Sequence, residues 1–132
     1  MKFIVTCIPS VLFFHLQAQQ VQLLDSAHAT SIRGMSVPTD KVVWLSGSKG
    51  TVARSTDGGA HFEWMTVKGY EKRDFRDIEA FDAQTAIIIA IDTPALILKT
   101  KDGGKTWKVV FEDARPGMFL DAMEFWNSLS GI

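Results

Sequence analysis

The chain has 132 residues, a formal net charge of −1 and a single cysteine, Cys7. This length suits one domain. The nearly balanced charge gives no electrostatic reason to expect nucleic acid as a partner. A single cysteine excludes an intrachain disulfide framework, so the fold must be stabilised by packing.

The first 18 residues have the layout of a secretory signal peptide. Lys2 supplies a positive charge, residues 3–16 are almost wholly apolar, and the small residue Ala18 marks a cleavage position. The apolar run is shorter than the roughly 20 residues of a membrane-spanning helix. We therefore expect residues 1–18 to be removed on export, which gives a secreted or periplasmic bacterial protein without a stable membrane span. A buried N-terminal strand is the alternative interpretation.

After this segment the chain repeats itself. Residues 55–62 recur as residues 100–107, with a spacing of 45 from Asp57 to Asp102. Residues 32–37 recur as residues 75–80, and a third copy begins at residue 119. Periods of this length are typical of propellers in which each repeat is one four-stranded blade. The sequence therefore predicts an all-β propeller.

Strand and turn signals agree with this prediction. Short β-branched and aromatic runs are separated by Gly, Pro and Asp, which is typical of an antiparallel all-β chain. A helix is the alternative at residues 86–91, but the short length and the isoleucines favour a strand. The expected strands are 21–24 before the repeats, 31–37, 42–45, 51–55 and 62–67 in the first repeat, and 75–81, 86–91, 96–100 and 106–111 in the second.

The repeat limits define the expected domain organisation. Residues 19–132 form a partial propeller, with blade 1 at about 31–67, blade 2 at about 74–111 and the start of blade 3 at about 118–132. A closed ring needs about four to eight blades. We therefore expect this sequence, with about two and a third blades, to be the N-terminal fragment of a longer protein.

The two glycine-rich turns resemble the Asp-box, or bacterial neuraminidase repeat, which has the pattern Ser/Thr-x-Asp-x-Gly-x-Thr-Trp. The second turn matches every position, and the first has His61 and Phe62 in the last two. The resemblance covers most of residues 31–125 and is closest to sialidase-like and photosystem II assembly-factor-like propellers. The box residues are Ser55, Asp57, Gly59, Thr100, Asp102, Gly104, Thr106 and Trp107.

Each box residue has a structural role available to it. The aspartates can accept hydrogen bonds from backbone N–H groups of their own turns. Gly59 and Gly104 can adopt positive φ, the Thr106 hydroxyl can bond to its turn, and Trp107 can pack as a large apolar anchor. We therefore expect the box aspartates to make turns rather than to catalyse a reaction or bind a metal.

Arg33 and Arg76 occupy the same place in the two repeats, on the strands expected to lie innermost. Bidentate arginine suits carboxylate recognition, and the sialidase resemblance implies an arginine grip near the propeller axis. These two arginines are therefore the candidate anion-binding residues. The alternatives are that they line a solvated channel or pair with Asp77, Asp121 or Glu79.

The function predicted from the sequence is an exported, non-catalytic propeller that acts as a binding or assembly scaffold for an unknown protein or glycan ligand. No catalytic set, metal site or cofactor motif is expected: His28 and His61 are isolated, and the single tyrosine, Tyr70, lies between repeats. The alternative is a sialidase-like glycoside hydrolase whose remaining catalytic residues lie beyond Ile132.

Overall fold

The computed structural model describes residues 21–23 and 27–132, and their secondary structure consists of strands and turns. The first four-stranded antiparallel sheet contains β1 (Ile32–Ser36), β2 (Val43–Gly47), β3 (Thr51–Ser55) and β4 (Glu63–Thr66), in that order. The second contains β5 (Phe75–Ala80), β6 (Ala86–Ala90), β7 (Ala95–Thr100) and β8 (Lys108–Asp113). A short hairpin of β9 (Phe125–Asn127) and β10 (Ser130–Gly131) follows.

The predicted all-β architecture of four-stranded blades is confirmed, and each sheet is one blade. All eight blade strands begin and end within two residues of the predicted limits, and β8 is displaced as a whole by two residues toward the C-terminus. The strand expected at residues 21–24 is wrong where it can be judged, because residues 21–23 lie outside any strand. The signal-peptide prediction lies outside the described residues, and the limits of blades and domains stay predictions.

The hydrophobic core lies between the two blades. All five residues of β6 are buried, and Ala86, Ile88 and Ala90 belong to the core cluster that blade 1 shares. Trp44 from β2 is fully buried and enters the same cluster. The buried residues of that cluster are Trp44, Val52, Val67, Phe75, Ile78, Ala80, Ala86, Ile88, Ala90, Leu96 and Leu98.

Three polar contacts fix blade 1 on the end of β5 and the turn that follows it. The Trp44 Nε1 donates to the carbonyl oxygen of Asp82 at 3.0 Å, and Arg54 Nη1 donates to that of Ala83 at 2.8 Å. The backbone N–H of Ala80 donates to Ser36 Oγ at 3.0 Å. Because each bond has a buried or half-buried partner, the blades have one relative position in which these groups are satisfied.

The core position of Trp44 gives a direct stability test. Trp44→Ala removes a fully buried indole and its hydrogen bond, and such truncations cost about 3–5 kcal/mol of unfolding free energy. Urea unfolding followed by circular dichroism measures this loss. Trp126→Ala is the matched control, because Trp126 is 67% exposed and should change stability by less than about 0.5 kcal/mol. Equal losses for the two variants would contradict the assigned core.

Candidate functional site

The second Asp-box forms a closed set of hydrogen bonds around one carboxylate. Asp102 Oδ1 accepts from Thr100 Oγ1 at 2.9 Å and from the Thr106 backbone N–H at 2.9 Å. The Thr106 hydroxyl donates to Asp102 Oδ2 at 2.5 Å, and the Gly104 N–H donates to Thr100 Oγ1 at 3.0 Å. Both oxygens of Asp102 are therefore used within the turn.

The first Asp-box has the same arrangement with a different last partner. Ser55 Oγ donates to Asp57 Oδ1 at 2.8 Å and accepts from the Gly59 N–H at 2.9 Å. The His61 N–H donates to Asp57 Oδ1 at 3.0 Å, and the imidazole Nδ1 lies 2.7 Å from Asp57 Oδ2. The imidazole thus takes the place that the Thr106 hydroxyl occupies in the second box.

These bonds determine the charge state of the two aspartates. Hydrogen bonds from the hydroxyl and backbone N–H of Thr106 lower the pKa of Asp102 from 3.8 to about 2. The backbone N–H and side chain of His61, followed by Ser55, hold the pKa of Asp57 well below its usual range. A carboxylate held ionised in this way is a poor proton donor at neutral pH, which suits the expected turn-forming role.

The second box also docks blade 2 on blade 1. Gly104 has φ +90°, and a Cβ there would lie 2.9 Å from Met65 Sδ and 3.4 Å from the Trp44 ring. The Trp107 Nε1 donates to the Gly104 carbonyl oxygen at 3.1 Å. Its ring meets that of Trp44 edge to face, with 6.4 Å between centroids. Close approach at Gly104 therefore lets the turn cover a tryptophan of the preceding blade.

Both candidate anion-binding arginines lie at β-bulges on first strands. The β1–β2 register shifts between Ile32 and Gly34, which makes Arg33 the extra residue. The β5–β6 register shifts between Phe75 and Asp77, which does the same for Arg76. A bulge redirects the side chain of its extra residue, and both side chains remain about one-third exposed.

Each arginine contacts a carboxylate that follows it by about one repeat. Arg33 Nη2 lies 3.5 Å from Asp74 Oδ2. Arg76 Nε lies 2.7 Å from Asp121 Oδ1, and its guanidinium stands 5.7 Å from the Phe119 ring centroid. Asp121 was among the partners considered from the sequence for Arg76. Asp74 was missed, because only the packing of blade 2 on blade 1 brings it to Arg33.

A group of acidic side chains belongs to the same inner region. Asp77 Oδ2 accepts the Met123 N–H at 2.9 Å. Burial raises the pKa of Glu79, and the charges of Glu124 and Asp77 raise it further. The first strands of the two blades therefore carry arginines beside carboxylates. A ligand carboxylate would have to compete with these carboxylates of the protein for the guanidinium groups.

Residues 21–23 and 27–132 include no group of three or more His, Cys, Asp or Glu placed to hold a metal ion. Tyr70 packs against the core and lies outside the strands, whereas a sialidase-like nucleophile would lie on an inner strand. His28 stacks on Trp64 with 4.1 Å between ring centroids. Among these residues, no helix is long and apolar enough to cross a lipid bilayer.

Four-stranded blades with Asp-box turns define the class as a BNR-repeat β-propeller. The model of the family described as photosynthesis system II assembly factor YCF48 matches residues 15–122. The chain belongs to this family. The comparison with curated proteins found no match.

Two solved structures have a similar fold. One, described as YCF48 bound to D1 peptide, is 23% identical over 80% of this chain and 34% of its own length, with a TM-score of 0.66. The other, YCF48 from Cyanidioschyzon merolae, is 20% identical over 76% of this chain and 32% of its own length, with a TM-score of 0.58. The chain therefore spans about a third of each of these proteins.

The lowered pKa of Asp102 predicts a specific loss of stability in acid. Because folding lowers this pKa, the ionised carboxylate stabilises the fold above about pH 4, and the contribution disappears as the pH falls toward about 2. Asp102→Asn should lower the melting temperature at pH 7 and flatten its decrease between these pH values. Thermal melts at a series of pH values measure both effects.

Asp40→Asn is the control for this prediction, since Asp40 is an exposed aspartate in the turn between β1 and β2. This variant should keep the acid dependence of the wild-type protein. If the melting temperature of Asp102→Asn falls in acid as steeply as that of the wild-type protein, the ionised Asp102 carboxylate does not stabilise the fold.

Proposed function

We propose that this chain is part of an exported, non-catalytic β-propeller that binds a protein partner during assembly of a larger complex. The observation that carries the proposal is the family match over residues 15–122, since the family is described as an assembly factor. The solved relative described as bound to D1 peptide supports a protein segment as the ligand. Export is supported by the signal-like residues 1–18.

The inner-strand arginines are the proposed contact site for this partner. Arg33 and Arg76 occupy equivalent bulges on β1 and β5 and keep about a third of each side chain exposed. Their present partners, Asp74 and Asp121, are carboxylates, so a carboxylate of the partner would meet the same donor geometry. Such half-exposed pairs are worth little individually, which makes exchange with an external carboxylate inexpensive.

The non-catalytic part of the proposal has its own support. Both box aspartates are committed to their turns, with lowered pKa values and both carboxylate oxygens hydrogen-bonded. Tyr70 is partly buried and packs against the hydrophobic core. No observation on the described residues favours the hydrolase alternative, so a single function is proposed.

Quantitative affinity capture tests this function. The full-length protein carrying Arg33→Gln and Arg76→Gln should recover its partner at least about fivefold less than wild type, because it loses two guanidinium donors for carboxylate. Lys41→Gln with Lys72→Gln is the control, since it removes the same charge from exposed positions outside the strands. Recovered proteins are measured by mass spectrometry after mild cross-linking.

Two results would contradict the proposed function. One is equal recovery by the arginine variant and wild type, which would remove the inner strands as the contact site. The other is turnover of a fluorogenic sialoside by the wild-type protein, which would replace a binding role with a hydrolase.

A further inference from the structure

One pair of cross-strand positions differs in charge between the two blades. In blade 1, Arg54 on β3 faces Glu63 on β4, and Arg54 Nη2 lies 2.7 Å from Glu63 Oε2. At the equivalent positions of blade 2, Lys99 on β7 faces Lys108 on β8. Opposite charges directly across a strand pair stabilise it, and like charges destabilise it. The like-charged pair Lys99–Lys108 of blade 2 is therefore unfavourable, whereas the oppositely charged pair Arg54–Glu63 of blade 1 is favourable.

Two more lysines surround the same turn and, with this pair, form a basic patch of Lys99, Lys101, Lys105 and Lys108. A cavity of about 400 Å³ is lined by Lys99, Lys101 and Lys108. A second cavity of about 240 Å³ is lined by Lys105 and by Lys68. Thr106 lines both cavities, so they flank one short stretch of chain.

The four lysines of this basic patch outnumber Asp102, the one carboxylate that lines the same two cavities. Among the ion pairs of the described residues, none includes any of its four lysines. The Asp102 carboxylate lines the larger cavity, but its oxygens accept hydrogen bonds from Thr100 and Thr106. The Lys99 ammonium lies 5.9 Å from the Phe81 ring centroid. The other three lysines are exposed.

Blade 1 shows which of these positions stay at the surface when a neighbouring blade is present. Thr56, Ala60 and Glu63 are the equivalents of Lys101, Lys105 and Lys108, and all three are exposed although blade 2 packs on blade 1. Arg54, the equivalent of Lys99, has a side chain that is only 14% exposed. The accessible charge of the basic patch therefore comes from Lys101, Lys105 and Lys108.

We propose that the basic patch binds an extended acidic segment of a protein partner. The inference rests on the proposed function and deepens it, since it states the charge of a second contact on that partner. The two cavities share Thr106 in their lining and give an extended segment two neighbouring places for carboxylate side chains. Lys108 begins β8, the edge strand of its sheet, where an extended segment can lie alongside.

Lys108→Glu tests this proposal because it separates binding from folding. The substitution gives blade 2 the charge pattern of blade 1, so the melting temperature should rise or stay unchanged. Affinity for a fluorescein-labelled Glu-Ser repeat peptide, measured by anisotropy on the full-length protein at about 0.1 M salt, should weaken about tenfold. Lys41→Glu is the matched control, with the same charge change on an exposed turn of blade 1, and should stay within about twofold of wild type.

Other results would overturn the proposal or one part of it. No binding by wild type, or equal weakening by Lys108→Glu and Lys41→Glu, would overturn the proposal. Tighter Lys108-dependent binding of an oligothymidine or of phosphatidylglycerol vesicles would overturn the assignment to a protein segment. The variant with Arg33→Gln and Arg76→Gln should still bind the peptide, and loss of binding would overturn its placement at the basic patch. If this arginine variant binds the peptide and also captures the partner as well as wild type, the proposed function is contradicted and the basic patch is not.

Discussion

The fold depends on the burial of one indole between two blades. Trp44 belongs to blade 1, donates to the Asp82 carbonyl oxygen of blade 2, and meets the Trp107 ring edge to face. The Asp-box of blade 2 can reach this position because Gly104 carries no side chain and adopts φ +90°. The box is thus a device that shapes a turn within one blade and docks it on the blade before.

This docking also organises the surfaces that are available for binding. Packing of the inner strands brings Asp74 to Arg33, and the bulges on β1 and β5 place both arginines at the same point of their blades. On the outer side, the second box presents lysines around Thr106. A repeated blade therefore supplies the framework, and the residues that vary between copies give each blade its own charge.

The sequence predicted the features that recur from repeat to repeat. Strand periodicity placed the blade strands, and the spacing of Asp57 and Asp102 indicated the box turns, because both depend on local backbone chemistry. The arginine partner Asp74 could not be predicted in the same way, since it joins different repeats. The Lys99–Lys108 pair was also missed, although aligning the two repeats position by position would have set it against Arg54–Glu63. The strand predicted at residues 21–24 is absent over residues 21–23, because polarity alternation alone does not supply a neighbouring strand.

The docking role of the second Asp-box predicts different outcomes for two glycine substitutions. Gly104 and Gly117 both have positive φ, but a Cβ at Gly104 would contact Met65 and Trp44, whereas a Cβ at Gly117 would have no neighbour within 4 Å. Both alanine variants bear the left-handed backbone cost of about 1–2 kcal/mol. Urea unfolding should show a further loss in Gly104→Ala alone, and equal losses in the two variants would contradict the docking role.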